Sequence, residues 1–430
     1  MRRTTRHLTS GILLAAPLLL AGCDRGQSVT APLSPAADVV DVVDVSGLAP
    51  ALPAASWASN VQGTEGGALY RLMVPTNCNG DLVAIAHGYV DPFAPIALPD
   101  ADFAPVVDSV GRRGFAVAYS SYAENGWAVK DGAQHTHAMT EIFTGQFGAP
   151  RRVFLAGVSL GGLIALDLAE RFPTQYVGIL SFCGATGGAT LRFRYMMDVR
   201  ALFDVFYRKP DPNDPTKTIP VLPGDATHVD RAGGLDLETG IRTVARDAML
   251  ADDAGARIIS NITRTPVPFL SFSDPMRTRM QMINSIADQL FRHAREIDEI
   301  IARGRGGSAI DNTDVVYTGA GIDQATLDFI NTHVQRFSST KFAEHVAAQY
   351  YDPDGSLQIP LVSIRSARDP ALPALLNDDN YVAKLTQDQR DRLVTVKVRD
   401  NSFGHCAVPN RDVVAAFDTL VTKVNALGGS

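Results

Sequence analysis

The chain has no surplus of positive charge: its 430 residues hold 39 Lys and Arg against 46 Asp and Glu, a formal charge of -7. Nucleic acids and anionic lipid surfaces are bound chiefly through excess lysine and arginine, so neither is an expected partner. Internal repeats are lacking, which excludes a solenoid or propeller array. The uncharged apolar stretch from Gly11 to Leu20 is too short to span a bilayer. Metal motifs are incomplete. His135 and His137 in "HTH" are spaced like two ligands but have no third, so a polar helix start is the expectation there. "DPDG" at Asp352 to Gly355 lacks the later ligands of a calcium loop and reads as a turn. Cysteine is scarce, with four in the whole chain. What is present is ordinary for a globular protein: 46% hydrophobic and 20% charged residues, enough for a sizeable core. The length exceeds the usual single domain, so one large domain with insertions, or two domains, is expected.

The first residues, "MRRTTRHLTSGILLAAPLLLAGC", carry Arg2, Arg3 and Arg6 ahead of the apolar stretch and small residues behind it. That is the order of an export signal rather than of a transmembrane helix. The closing "LAGC" resembles the bacterial lipobox, which implies a lipid anchor on Cys23, removal of residues 1–22 and a place in the bacterial cell envelope. The removed segment holds three arginines and no acids, so the mature chain would carry -10. Residues 23–60, rich in Ala, Pro, Ser, Val and Asp, read as a flexible tether. Within them "VVDVVDV" has a short edge strand as its alternative. Three cysteines remain, Cys78, Cys183 and Cys406; one pair could bridge, and the sequence does not choose which.

From about residue 67 strands and helices alternate. "ALYRLMV", "DLVAIAHG", "FAVAYSSY", "RRVFLAGV" and "YVGILSFCG" are strand-like, and "FAPVVDSVGRRG", "TEIFTGQFG" and "LGGLIALDLAERFP" are helical. Apolar strands separated by helices predict an α/β protein with a mostly parallel sheet covered on both faces. After Gly187 the rhythm gives way to helical segments broken by Pro/Asp/Gly loops. It returns with "IPLVSIRS", a helix near "NYVAKLTQDQRDR", the strand "LVTVKV" and the helix "RDVVAAFDTLVTKV". The expected organisation is a core in two parts, 61–187 and 356–430, with a mainly helical cap over 188–355.

Within "VFLAGVSLGGLI" a serine sits between Gly157 and Gly161, where a strand turns sharply into a helix. Glycines beside Ser159 allow close strand–helix packing, and the helix start aims its amides at the serine oxygen. A serine hydroxyl needs a base, and the base needs a carboxylate to fix its tautomer. His405, in the loop after the last strand, and Asp369, after the strand before it, fall at the sheet's carboxyl edge, where open α/β folds bind ligands. Asp400 and Asp274 are the competing acids.

The order Ser, Asp, His resembles that of the α/β-hydrolase family. "IAHGY" resembles its oxyanion loop, "GVSLGG" its nucleophile elbow, "SARDP" its acid turn and "FGHC" its histidine loop. The resemblance covers the chain from about residue 65 onward. It implies Ser159 as nucleophile, His405 as base and acid, Asp369 as orienting carboxylate, and the amides of Tyr89 and Leu160 as an oxyanion hole. It also implies ester hydrolysis without metal or organic cofactor. "HGYV" departs from the glycine run of many lipases and esterases. The tannase and feruloyl-esterase group bridges a cysteine before its serine to one after its histidine; here Val158 precedes Ser159, so that bridge cannot form. Cys183 and Cys406 both belong near the carboxyl edge, another place for a disulfide. His87 is expected to brace its loop, and the Met and aromatic residues of Leu191 to Tyr207 to be cap core.

Two rival functions stand beside the esterase. A serine peptidase acting at N-termini uses the same triad but needs carboxylates for the substrate amine, for which the cap offers Asp198, Asp204, Glu296 and Glu299. A surface-displayed binding lipoprotein on a dead hydrolase scaffold has no use for a complete triad.

Overall fold

The structure, a computed structural model, describes residues 55–230, 239–267 and 275–428. The expected signal segment, Cys23, "VVDVVDV" and Asp274 lie outside the described residues.

The chain enters the sheet earlier than composition suggested. Strand β1 (Trp57–Glu65) begins inside the segment expected as tether, and hairpins with β2 (Ala68–Pro75). Gly66 and Gly67 form the turn at φ +58° and +91°, left-handed values that glycine adopts without cost and that match strand twist. Half-buried and exposed residues alternate along β1, the pattern of an edge strand. The next strands, β3 (Asp81–Ala86), β4 (Ala116–Ser120), β5 (Arg152–Val158) and β6 (Gly178–Phe182), are nearly uninterrupted apolar runs, because helices cover both of their faces. Between them run α1 (Asp100–Arg112), α2 (Val129–Phe147) and α3 (Leu160–Arg171).

An insertion follows β6. It holds α4 (Ala189–Phe206), a small hairpin of β7 (Arg208–Pro210) and β8 (Thr218–Pro220), and α5 (Gly240–Ala251). Then come α6 (Ala254–Thr263), the long α7 (Pro275–Arg303), α8 (Gln324–His333) and α9 (Lys341–Tyr350). The chain returns through β9 (Leu361–Arg368), α10 (Asp378–Lys384), α11 (Gln387–Leu393), β10 (Val394–Phe403) and α12 (Asn410–Ala426). The single helix expected near residue 380 is two, because Thr386 and Gln389 form a capping box that starts α11 afresh.

The main sheet has the order β1-β2-β4-β3-β5-β6-β9-β10, parallel except for β1 with β2 and β2 with β4. This mixed, mostly parallel sheet with helices on both faces and a helical cap is the α/β-hydrolase fold. Successive strand residues serve opposite faces. Leu82, Ala84 and Ala86 pack with α2, α3 and the cap, whereas Val83 and Ile85 join Phe103 and Val107 of α1 and Phe417 and Leu420 of α12. In the cap, Phe193, Met196, Met197 and Phe203 of α4 and Ile283, Ile286 and Leu290 of α7 are buried together, so the expected cap core is there. Among the described residues no helix is long and apolar enough to cross a membrane.

Two polar ties fix the cap over the core. Asp352, in the "DPDG" turn, accepts from the Thr190 amide at the start of α4, and the Asp354 and Gly355 amides donate to Glu170. Glu299 of α7 accepts from the Trp127 amide at 2.6 Å, and Arg303 reaches Glu124 at 2.7 Å.

Candidate active site

The sheet changes direction of growth at β3: β4 lies on one side of it and β5 on the other. At such a switch point the carboxyl ends of neighbouring strands diverge and leave a crevice. Ser159 follows β5 there, at φ +54° and ψ -118°, a left-handed conformation that a serine adopts only when its surroundings impose it. Those surroundings are backbone. A Cβ on Gly157 would lie 2.0 Å from the Gly161 carbonyl oxygen, and one on Gly161 would lie 2.1 Å from that of Ala86. The Ser159 amide donates to Phe182 O at 2.9 Å, and its carbonyl accepts from the amides of Gly162 and Ala185.

Ser159 Oγ lies 2.8 Å from His405 Nε2, and His405 Nδ1 lies 2.7 Å from Asp369 Oδ2. Asp369 Oδ1 accepts from the backbone amides of Ala371 and Leu372, at 2.9 and 3.0 Å. Asp369 is 3% exposed, so its second oxygen has the imidazole as its partner rather than bulk water. The structure therefore brings Ser159, His405 and Asp369 together in one hydrogen-bonded chain. Asp400 is exposed on β10 and has no bond to His405, and Asp274 is not among the described residues.

The histidine loop is anchored on both sides. Gly404 N donates to Arg368 O at 2.9 Å, and Ser366 Oγ donates to Gly404 O at 2.6 Å. Cys406, next to His405, forms a disulfide with Cys183 at the end of β6, leaving Cys78 free and exposed. The histidine loop is thus stapled to the end of β6, the strand next to the one that leads into Ser159, across 223 residues of sequence. Reducing this bond, or replacing both cysteines with serine, is expected to lower unfolding free energy by about 2–5 kcal/mol. Denaturant titration with and without reductant measures it, and an unchanged midpoint would contradict it.

Tyr89 and Leu160 share with Ser159 and His405 a cavity of about 300 Å³. Gly88 lies against the serine: a Cβ there would sit 3.3 Å from Ser159 Cβ. Leu160 is the first residue of α3, where amides are free of intrahelical acceptors. His87 stacks on Tyr122 with 3.7 Å between ring centroids, its Nδ1 2.7 Å from Gly88 O, and burial holds its pKa below the usual imidazole value. It braces the loop as a neutral ring. His135 and His137 do not start a helix; both lie inside α2. His135 is buried beside Asp131, and His137 bonds Tyr176.

The opposite wall comes from the cap and from the loop before α2. Trp127, Arg192 of α4, and Arg292 and Glu296 of α7 line the same cavity. Sequence reading offered Glu296 as a carboxylate for a substrate amine and left Trp127, Arg192 and Arg292 unplaced. A lone arginine in an apolar helical pattern gives no signal of the wall it faces until the cap's helices are assembled. A second cavity, of about 380 Å³, lies inside the cap between α4, α7 and α9 and does not include Ser159.

Comparison with known proteins adds a family match. Residues 79–215, about a third of the chain, match the model of the Esterase family, described as "Putative esterase". The match covers the "IAHGY" loop, the turn at Ser159 and the first cap helix. No curated protein matches the sequence. Among solved structures, the chain is similar to the mouse alpha/beta hydrolase domain-containing protein 10, at 12% identity and a TM-score of 0.39, covering 85% of this chain and 100% of that one. It is also similar to a 2-hydroxy-6-oxo-6-phenylhexa-2,4-dienoate hydrolase from a Rhodococcus species, at 12% identity and a TM-score of 0.38, covering 86% and 99%. Overlaps this loose carry nothing about substrate. The chain has the α/β-hydrolase fold, and its residues 79–215 are similar to the Esterase family.

Proposed function

We propose that the protein is a serine esterase, exported and held at a membrane of the bacterial envelope by a lipid on Cys23. The observation that carries the esterase reading is the continuous bond chain from Ser159 Oγ through His405 to Asp369, with Ser159 and His405 lining a pocket beneath the cap. His405 Nε2 takes the serine proton as Oγ attacks the ester carbonyl, and Asp369 holds the ring so that Nδ1 keeps its own proton. Charge developing on the carbonyl oxygen is received by the amides of Leu160 and Tyr89. The imidazolium then protonates the leaving alcohol, and water, activated by the same imidazole, releases the acid from Ser159. These steps require side chains and backbone amides alone.

An aminopeptidase would need carboxylates converging on a substrate ammonium. Of the four candidate cap acids, Asp198 is tied to Arg194 and Tyr317, Asp204 to Arg200, and Glu299 to Arg303 and the Trp127 amide. Glu296 lines the cavity, but beside two arginines, surroundings that repel an ammonium. Ester hydrolysis is therefore favoured. Purified protein is expected to turn over 4-nitrophenyl esters and to leave aminoacyl 4-nitroanilides intact. Dominant anilide cleavage would replace the esterase with the peptidase, and inactivity on both panels would favour a binding protein. Export is tested separately: cytoplasmic protein with residues 1–22 intact would contradict it.

A further inference from the structure

Arg192 is 4% exposed, and its guanidinium makes one hydrogen bond, from Nη1 to the neutral Gln289 Oε1 at 2.8 Å. Burial opposes its charge, and Glu296 is the acid that most favours that charge, with no hydrogen bond between the two. The acids packed against this wall have other hydrogen-bond partners. Arg292 is held by Asp288, which also holds Arg242, and Glu296 accepts from Trp127 Nε1 at 2.9 Å. Two further buried donors near Arg192 lack an acceptor: Gln289 Nε2, on the residue that holds Arg192, and Tyr89 Oη, on a residue that lines the same cavity. Arg295, 4.6 Å from the centroid of the Tyr89 ring, adds positive charge and has no carboxylate partner among the described residues. Arg192 and Arg292 thus face one lining carboxylate, Glu296, so the wall carries an excess of positive charge and unmet donors, within the cavity that Ser159 and His405 share.

We infer that the cavity selects esters that carry a carboxylate, with Arg192 as the residue that receives it. This rests on the esterase reading above. A planar carboxylate matches the guanidinium fork, and the bond is charge-assisted. Glu296 on the same wall opposes the anion and sets how strongly it is held. The carboxylate can lie on the acid or the alcohol side of the ester, and matched substrate pairs separate the two. Mono-4-nitrophenyl glutarate against 4-nitrophenyl pentanoate tests the acid side, and 4-carboxyphenyl acetate against 4-methylphenyl acetate the alcohol side.

In one pair the carboxylate ester is expected to have a kcat/KM at least about tenfold above its neutral partner, the scale of one charge-assisted bond. Arg192→Met should lower that ratio at least about tenfold, and Glu296→Gln, which keeps an acceptor for Trp127, should raise it. Neutral esters preferred in both pairs, or a ratio unmoved by Arg192→Met, would overturn the inference. Should Arg192→Met fail to fold, Glu296→Gln decides, because misfolding does not raise a ratio; an unchanged or lowered ratio overturns it. If no ester of either kind is cleaved, the esterase reading falls, and calorimetry of monomethyl glutarate binding to Ser159→Ala decides the carboxylate site alone. Binding that weakens at least tenfold when Arg192→Met is added supports the site, and absence of binding, or binding indifferent to Arg192, overturns it.

Discussion

Ser159→Ala is expected to lower ester kcat/KM by about 10⁶-fold while leaving the unfolding midpoint within a few degrees of the parent. The magnitude follows from what remains. Among the described residues lining the cavity no other serine, threonine or cysteine is present, so covalent catalysis has no substitute. His405 would keep its bond to Asp369 and could only activate water, while the backbone amides still receive the oxyanion. That leaves a residual acceleration over solution of about 10³–10⁴-fold, from binding and oxyanion stabilisation. Stability should survive, because the left-handed turn is imposed by the packing of Gly157, Gly161 and Ala86 rather than by the hydroxyl. A loss of only tenfold would mean that Ser159 assists rather than attacks.

Asp369→Asn should cost about 10⁴-fold in kcat, although the substitution is nearly isosteric. Asp369 Oδ1 accepts two backbone amides. An asparagine that keeps those bonds must turn its NH2 toward His405 Nδ1, which forces that nitrogen to accept. The ring proton then sits on Nε2, the atom that must take the serine proton, and the base is blocked. Asp400→Asn, on an exposed part of β10, should stay within about threefold of the parent. If the two variants exchanged effects, the orienting carboxylate would be Asp400 and the bond to Asp369 incidental.

The placement of Ser159, His405 and Asp369 was more legible in the sequence than the walls around them. A serine between glycines at a strand-to-helix junction constrains backbone directly, and His405 and Asp369 follow late strands whose apolar runs are plain. His405 lies within hydrogen-bond reach of both Ser159 and Asp369. The cap's contribution was not legible, because a helical period says which face is apolar but not what that face meets. Arg192 lies among Phe193, Met196 and Met197 in sequence, and its meaning came from α7 packing across from it. The sequence offered Cys183 with Cys406 as one pairing without choosing it; parallel β6, β9 and β10 bring both to the same edge.

Misreadings at the margins have physical causes as well. Trp57–Glu65 was taken into the tether because an edge strand needs only every second residue half-buried, and here several of those positions are small or polar. Trp57 gives the strand its hold by packing over Gly111, where a Cβ would lie 2.3 Å from its ring. The break between α10 and α11 was written in "TQDQ", a capping box that apolar periodicity on both sides obscured. His135 was placed at a helix start because its neighbours are polar, yet α2 begins at Val129 and buries it two turns in.

The central claim is that Ser159 is a nucleophile activated by His405. Its most direct test treats the full chain and a His405→Ala variant with a fluorophosphonate and maps the adduct by mass spectrometry. A single phosphonyl group on the peptide bearing Ser159, formed far more slowly in His405→Ala, is the predicted result. No adduct, an adduct on another residue, or equal labelling of both proteins would contradict it.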